Sequence, residues 1–257
     1  MQPVVVAYGM GTNSTAMLIE CVNQGIKIDL ILSADTGAEK PYTYDYRDMM
    51  SCWLKSHGYP EITVVKKVDK DGNIMTLIDN CIDNNMLPAL AYGYKKCSLK
   101  FKIEPQNKFV NNWPSAKECW KSSNKVVKMI GYHWDEWERA DGHEEDEKYI
   151  YRYPLIEQGY GQSDCIEIIK SSGLPLPGKS SCYCCPAMKK KEIIDLKINY
   201  PELLEKALFI ERNAILSVIK GLGRDWSWNS FINAGVGVTD ELFPDSYTGT
   251  PCSCYDG

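Results

Sequence analysis

The sequence predicts an α/β fold: a doubly wound, mostly parallel sheet with a cysteine-containing, mainly helical carboxy-terminal part. Three observations carry that expectation. Short β-branched runs alternate with stretches of helical periodicity. The first run breaks into a glycine turn and resumes at once as helix. Six of the eleven cysteines fall after residue 160. Alternation matters because parallel neighbours in one sheet need a crossover, and a helix is the usual one.

Val4-Val5-Val6-Ala7 reads as the opening strand. Tyr8-Gly9-Met10-Gly11-Thr12-Asn13-Ser14 turns into a helix over 14–24, closed by Gly25. Residues 28–32 read as a second strand and 41–57 as a helix with Pro41 in its first turn. Residues 61–65 form a third strand, 70–73 a turn and 74–84 a helix. A further helix begins near Ser98, and 125–132 is again strand. The acidic stretch 141–147 reads as a solvated loop. Cys165 falls in a short helical stretch, 173–181 is a rigid Pro-Gly loop, and helices follow over 188–199 and 202–219. The division expected is 1–160 for the α/β part and 161–257 for a cysteine-rich helical region packed on it, with a mobile tail over 240–257.

At 257 residues and 44% hydrophobic, the chain can bury a core without staples. Its net charge of −5 argues against a surface that coats nucleic acid broadly, although a local basic patch can still hold phosphates. No apolar run approaches membrane-spanning length. Residues 1–8 enter a strand with no basic leader, and an odd number of cysteines cannot pair completely. The expectation is therefore a cytoplasmic chain with reduced thiols.

The turn after the first strand is an anion site in outline. Gly9 and Gly11 let backbone approach a phosphate, and the next helix offers N–H groups at its positive end, with Asn13, Ser14 and Thr15 as candidate caps. It has neither the Lys of a Walker loop nor the third glycine of a dinucleotide fingerprint. Asp35-Thr36-Gly37 ends the second strand, where parallel sheets gather ligands; Asp35 is read either as a ribose or amine acceptor or as part of a plain turn. Lys95, Lys96, Lys100 and Lys102 make the most basic stretch, read as a solvated face or an anion contact. Arg139, after the fourth strand, offers a bidentate fork. His57, His133 and His143 have no paired metal spacing. Cys182 and Cys185 form a C-x-x-C pair before Pro186, suited to zinc, an iron–sulfur cluster or redox work. Cys97 and Cys165 are the preferred partners for a four-thiolate site, with Cys184 pointing away; the alternative is buried reduced thiols. Cys252 and Cys254 lie on the tail.

Taken together, Tyr8-Gly9-Met10-Gly11-Thr12-Asn13-Ser14-Thr15, Ala34-Asp35-Thr36-Gly37-Ala38-Glu39-Lys40-Pro41, Lys96-Cys97-Ser98-Leu99-Lys100-Phe101-Lys102, Glu136-x-x-Arg139 and Pro177-Gly178-Lys179-Ser180-Ser181-Cys182-Tyr183-Cys184-Cys185-Pro186 carry a resemblance over roughly residues 3–220. The chain resembles the phosphoadenosine phosphosulfate (PAPS) reductase family of the PP-loop ATP pyrophosphatase, or adenine nucleotide α-hydrolase-like, superfamily, in its phage and prophage form. That resemblance implies an adenine nucleotide, ATP or PAPS, on Tyr8, Gly9, Gly11, Thr12, Asn13 and Ser14, with Asp35, Thr36 and Gly37 near the adenosine. Lys100, Lys102 and Arg139 would neutralise phosphate or sulfate, and Cys97, Lys100 and Arg139 would be catalytic. Cys97, Cys165, Cys182 and Cys185 would hold a 4Fe-4S cluster, with zinc or no metal as alternatives, and Mg2+ would accompany the nucleotide.

The implied activity is nucleotide-dependent sulfur chemistry, either thiolation with a sulfur donor or phosphosulfate reduction with a thiol reductant. The acceptor is open and includes nucleic acid; a homodimer and, for a phage protein, the host cytoplasm are the implied setting. Two departures stand out. Asn13 replaces the acidic residue of the usual Ser-Gly-Gly-x-Asp-Ser loop, and the Glu-Cys-Gly-x-His tail of assimilatory reductases is missing. They motivate a second reading, a catalytically idle nucleotide-binding or regulatory module acting with a partner, nucleic acid included.

Overall fold

The computed structural model describes residues 2–234, so the tail over 240–257, with Cys252 and Cys254, lies outside the described residues. Strands β1 (Val4–Ala7), β2 (Leu30–Asp35), β3 (Ile62–Lys66), β4 (Val126–Ile130) and β5 (Tyr149–Arg152) form one sheet in the order β3-β2-β1-β4-β5. Every pairing is parallel. The helices in chain order are α1 (Thr12–Asn23), α2 (Pro41–Ser56), α3 (Leu77–Asp83), α4 (Lys96–Ser98), α5 (Glu104–Asn112), α6 (Pro114–Lys121), α7 (Pro154–Glu157), α8 (Gln162–Ser171), α9 (Lys190–Asn199), α10 (Pro201–Asn213) and α11 (Trp228–Asn233). A wider π-helical turn, Leu99–Ile103, joins α4 to α5.

The expected α/β class and parallel sheet are thus what the chain forms, and the differences have local causes. β2 runs to Asp35 rather than stopping at 32, because Ser33, Ala34 and Asp35 pair with Val64, Val65 and Lys66. α3 starts at Leu77 rather than 74. Thr76 and Asp79 form a reciprocal capping box there, and Ile74 is still bridged to Val68. α10 stops at Asn213 rather than 219: Ala214 turns extended and the Ile215 N–H donates to the Asn85 carbonyl at 2.8 Å. β5 was not expected as a strand; it pairs along β4 from Val126↔Tyr149 to Met129↔Arg152.

Three cores result. Val6, Met17, Ile19, Met50, Leu54, Cys165 and Ile169 pack one face of the sheet under α1, α2 and α8. Val5, Leu32, Val110, Ala116, Cys119 and Val126 pack the other under α5 and α6. The third core joins Leu77, Leu87 and Phe101 to Tyr183, Ile193, Leu204 and Trp228. The cores therefore partition differently from a cut at residue 160: α8 belongs to the sheet, and residues 77–101 share packing with the carboxy-terminal helices. No helix among the described residues is long and apolar enough to cross a membrane.

The order reverses beside β1, with β2 on one side and β4 on the other. Loops leaving β1 and β4 diverge at such a point and open a crevice at the carboxyl ends of the strands.

Candidate functional site

At the β1 exit Met10 takes the left-handed conformation (φ 61°), and Gly11 is the extended N-cap of α1 (φ −102°, ψ 176°). No side chain caps this helix. Each expected cap is engaged elsewhere: the Ser14 hydroxyl donates to the Gly11 carbonyl (3.2 Å), Asn13 Nδ2 donates to Glu136 Oε2 (2.9 Å), and the Thr15 hydroxyl pairs with that of Tyr8 (3.2 Å). The first-turn N–H groups at the positive end of a 12-residue helix are left for an anion. The Tyr8 side chain is buried in the α1 core, where burial pushes its phenol far up, so Tyr8 borders the loop through its backbone.

Gly131, after β4, is a site residue that the motifs missed. A Cβ there would fall 2.7 Å from Ser14 Cα and 2.9 Å from Ser14 N, so only glycine lets the β4 exit pass against the first turn of α1. The one sequence signal was a glycine closing a strand. Beyond it, Glu136 receives Asn13 and also pairs with Arg139, whose guanidinium lies 4.1 Å from the centre of the Tyr132 ring. Arg139 and Asn13 are therefore brought together through one carboxylate.

The β2 exit makes the second wall. Asp35 accepts from the Gly37 N–H (2.8 Å) and the Tyr44 hydroxyl (2.9 Å) and pairs with Lys66 (3.1 Å). Burial alone would raise its pKa, but those three donors hold it below the ordinary carboxylate range. Its lone pairs are committed to shaping the turn. Gly37 is left-handed (φ 71°). Thr36 is buried; its hydroxyl accepts from the Ala38 N–H (3.2 Å) and lies 3.4 Å from Cys182 Sγ.

Cys182 thus reaches the end of β2 from 146 residues away. Its sulfur also faces Glu39 Oε1 at 3.9 Å, and the Ser180 hydroxyl donates to the Gly9 carbonyl at 2.7 Å. The 177–186 loop is therefore tied to both the glycine turn and the Asp35 turn. Burial pushes the Cys182 thiol well up and the Glu39 carboxylate adds to that, while the Lys102 ammonium and the Thr36 hydroxyl pull the other way. Lys102 is itself buried.

The remaining candidates separate from this group. Lys100 Nζ donates to Asn80 Oδ1 on α3 at 2.5 Å. Cys165 is a correction to the expected thiolate set. It lies fully buried on α8 with Ile169 one turn away, facing α1 in a different core from the other three. Cys97 Sγ accepts from the Ala89 N–H at 3.0 Å. Cys184 is fully buried; burial is the main cause that raises its thiol, and the neighbouring Cys81 and Cys97 add to it. The Cys185 N–H donates to the Cys182 carbonyl (3.0 Å), closing a tight turn.

Among the described residues, no three His, Cys, Asp or Glu side chains converge closely enough to hold a metal ion. As arranged, Cys97, Cys165, Cys182 and Cys185 do not fit a shared cluster or zinc ion.

No family model and no curated protein matches the chain. Among solved structures it is similar to the U34-tRNA thiolase NcsA from Methanococcus maripaludis with its 4Fe-4S cluster. The two share 15% identity over 82% of this chain and 72% of that one, with a TM-score of 0.43. The chemistry here rests on this chain's own residues.

Those residues offer an anion-ready helix terminus at α1, a guanidinium beside it at Arg139, and a thiol with a carboxylate and an ammonium at Cys182. A polar cavity of about 370 Å³ lies at the other end of the sheet, lined by Gln2, Lys27, Asp29, Ser115 and Asn124, and contains none of these groups.

Proposed function

We propose that this chain is an adenine-nucleotide-dependent enzyme of sulfur chemistry. One observation carries the reading: the loop bearing Cys182 is bonded to both halves of the crevice, through Ser180 to Gly9 and through the Cys182 sulfur to Thr36. A phosphate-type helix terminus alone supports nucleotide binding. A thiol carried to the same strand ends supports sulfur as the reacting element.

In this reading the phosphates lie on the turn over 9–14, with Arg139 and Lys102 offsetting their charge. Glu39 and Thr36 hold the Cys182 thiol in place, and Cys97 serves as a second thiol from the third core. Two reactions remain within the class. With ATP, an acceptor oxygen attacks the α-phosphorus and pyrophosphate leaves; a sulfur nucleophile then displaces AMP. With PAPS, a thiolate attacks the sulfate sulfur, the adenosine bisphosphate leaves, and a second thiol releases sulfite as a disulfide forms. Anaerobic incubation with each nucleotide, a thiol reductant or sulfide, and candidate acceptors including RNA separates them. Pyrophosphate with AMP marks the first and sulfite the second. Tight nucleotide binding with neither product would favour the idle module instead, a reading motivated by Asn13 being occupied with Glu136.

A further inference from the structure

The Cys97 sulfur is held by a turn that is itself held from the far carboxy-terminal part of the chain. Glu211 on α10 is buried and carries the first link. Its carboxylate accepts from the backbone N–H groups of Leu222 (2.7 Å), Trp228 (2.8 Å) and Asn229 (2.7 Å) and from the Ser227 hydroxyl (2.7 Å). One side chain thus pins both ends of the 222–229 loop, and charge-assisted bonds of this kind are the strong ones.

The loop projects Arg224. Its backbone is closed on Gly221, with the Arg224 N–H donating to the Gly221 carbonyl at 2.9 Å, and its φ of 64° sets the side chain's direction. Arg224 Nε and Nη2 both donate to the Leu90 carbonyl, at 3.1 and 2.8 Å. Leu90 sits in the 3-10 turn Ala89–Tyr92, and the leading N–H of that turn, from Ala89, is the donor to Cys97 Sγ. Two donors from one rigid guanidinium on one carbonyl restrain both position and orientation, which a single flexible ammonium does not.

We infer that Arg224 is a positioning residue for Cys97: it clamps the Ala89–Tyr92 turn so that its first N–H fixes the sulfur. This rests on the proposed function only in giving Cys97 a chemical role. The clamp itself is read without turnover. In the full chain, Arg224→Ala should speed amide exchange at Ala89 by about tenfold, the loss of roughly one hydrogen bond. Alkylation of Cys97 by iodoacetamide should rise several-fold against the exposed Cys52 as internal control. Exchange in β1 and the melting temperature should stay at wild-type values, because Arg224 is exposed. Arg224→Lys should recover part of the Ala89 protection, and added guanidinium should restore it in Arg224→Ala.

Unchanged Ala89 exchange and unchanged Cys97 alkylation in Arg224→Ala would overturn the inference. So would a loss spread evenly over the chain, which a merely structural role produces. A responsive Ala89 amide in a protein that makes neither pyrophosphate nor sulfite would leave the clamp standing and remove the proposed function instead.

Discussion

Cys165 is fully buried and Cys182 half-buried, and the expected thiolate set puts them in one site; the fold gives them different company. Cys165 sits among Met17, Ile19 and Ile169, where burial, with Asp164 and Glu136 adding, pushes its thiol up to about 12. Cys182 meets a hydroxyl, a carboxylate and an ammonium that arrive from β2, the α2 approach and the π-helical turn. Burial alone leaves a cysteine behaving as a small apolar group. What marks a site is polar neighbours drawn from separate elements onto one sulfur.

Exchanging the two sulfurs for oxygen is the strongest way to break that comparison. Cys182→Ser should lower sulfite or AMP production by about a thousandfold or more while the melting curve barely moves. Cys165→Ser should leave turnover intact and cost about 1–3 kcal/mol, because a hydroxyl replaces a thiol in an apolar pocket. Activity paired with urea denaturation reads both, and equal loss of turnover in the two variants would erase the distinction.

The next test leaves the sulfurs alone. A Cβ at Gly11 would approach only Ser180 Cβ, at 4.0 Å, and its backbone is extended, so Gly11→Val should keep the apo melting temperature. It should nevertheless weaken nucleotide binding by about a hundredfold, as the side chain blocks the turn. Gly131→Ala, pressed against Ser14, should lower stability as well, by about 1–3 kcal/mol. Calorimetry and thermal melts on the pair separate a ligand surface from a packing surface.

Lysines extend the contrast from thiols to cations. Lys102 is buried beside Cys182, whereas Lys128 on β4 is buried against the Tyr149 ring at 5.8 Å. Burial lowers the Lys128 pKa to about 8, with Asp146 offsetting part of the effect. Between pH 8 and the unfolded value near 10.5 the unfolded chain binds more protons, so stability should rise with pH across that window. Lys128→Met should flatten the rise and add about 1–3 kcal/mol at pH 7.

The smallest effect belongs to Asp35, whose depressed pKa contributes stability that is complete above the unfolded value of about 3.9. That stability is lost as pH falls through the lower folded value. Asp35→Asn should remove this acid limb in a pH series of denaturation midpoints.

Local chemistry was what the sequence exposed. The glycine turn, the Asp35 turn and the parallel sheet could be read because each is announced by neighbouring residues: β-branched runs, a strand broken by glycine, a helix opened by Pro41. Cys165 could not be assigned from its spacing to Cys182, since the deciding fact is the face of α8 it occupies. The Cys165 and Ile169 pair, four apart, was the available sign of a core face. Lys100 and Lys102 were read together, yet the π-helical turn over Leu99–Ile103 sends one toward Asn80 and buries the other. Glu39, Ser180 and Gly131 matter through partners more than 100 residues away, and no window of sequence contains both ends of such a bond.

The bond from Ser180 to Gly9 spans 171 positions. On a ribosome, all five strands emerge before the segment that carries Cys182, so the crevice walls can dock against one another while the thiol is still unmade. The third core, which needs Trp228, closes later again. Synthesis therefore sets an order: the surface proposed for the nucleotide takes shape first, and the sulfur proposed to react is delivered between walls that already exist.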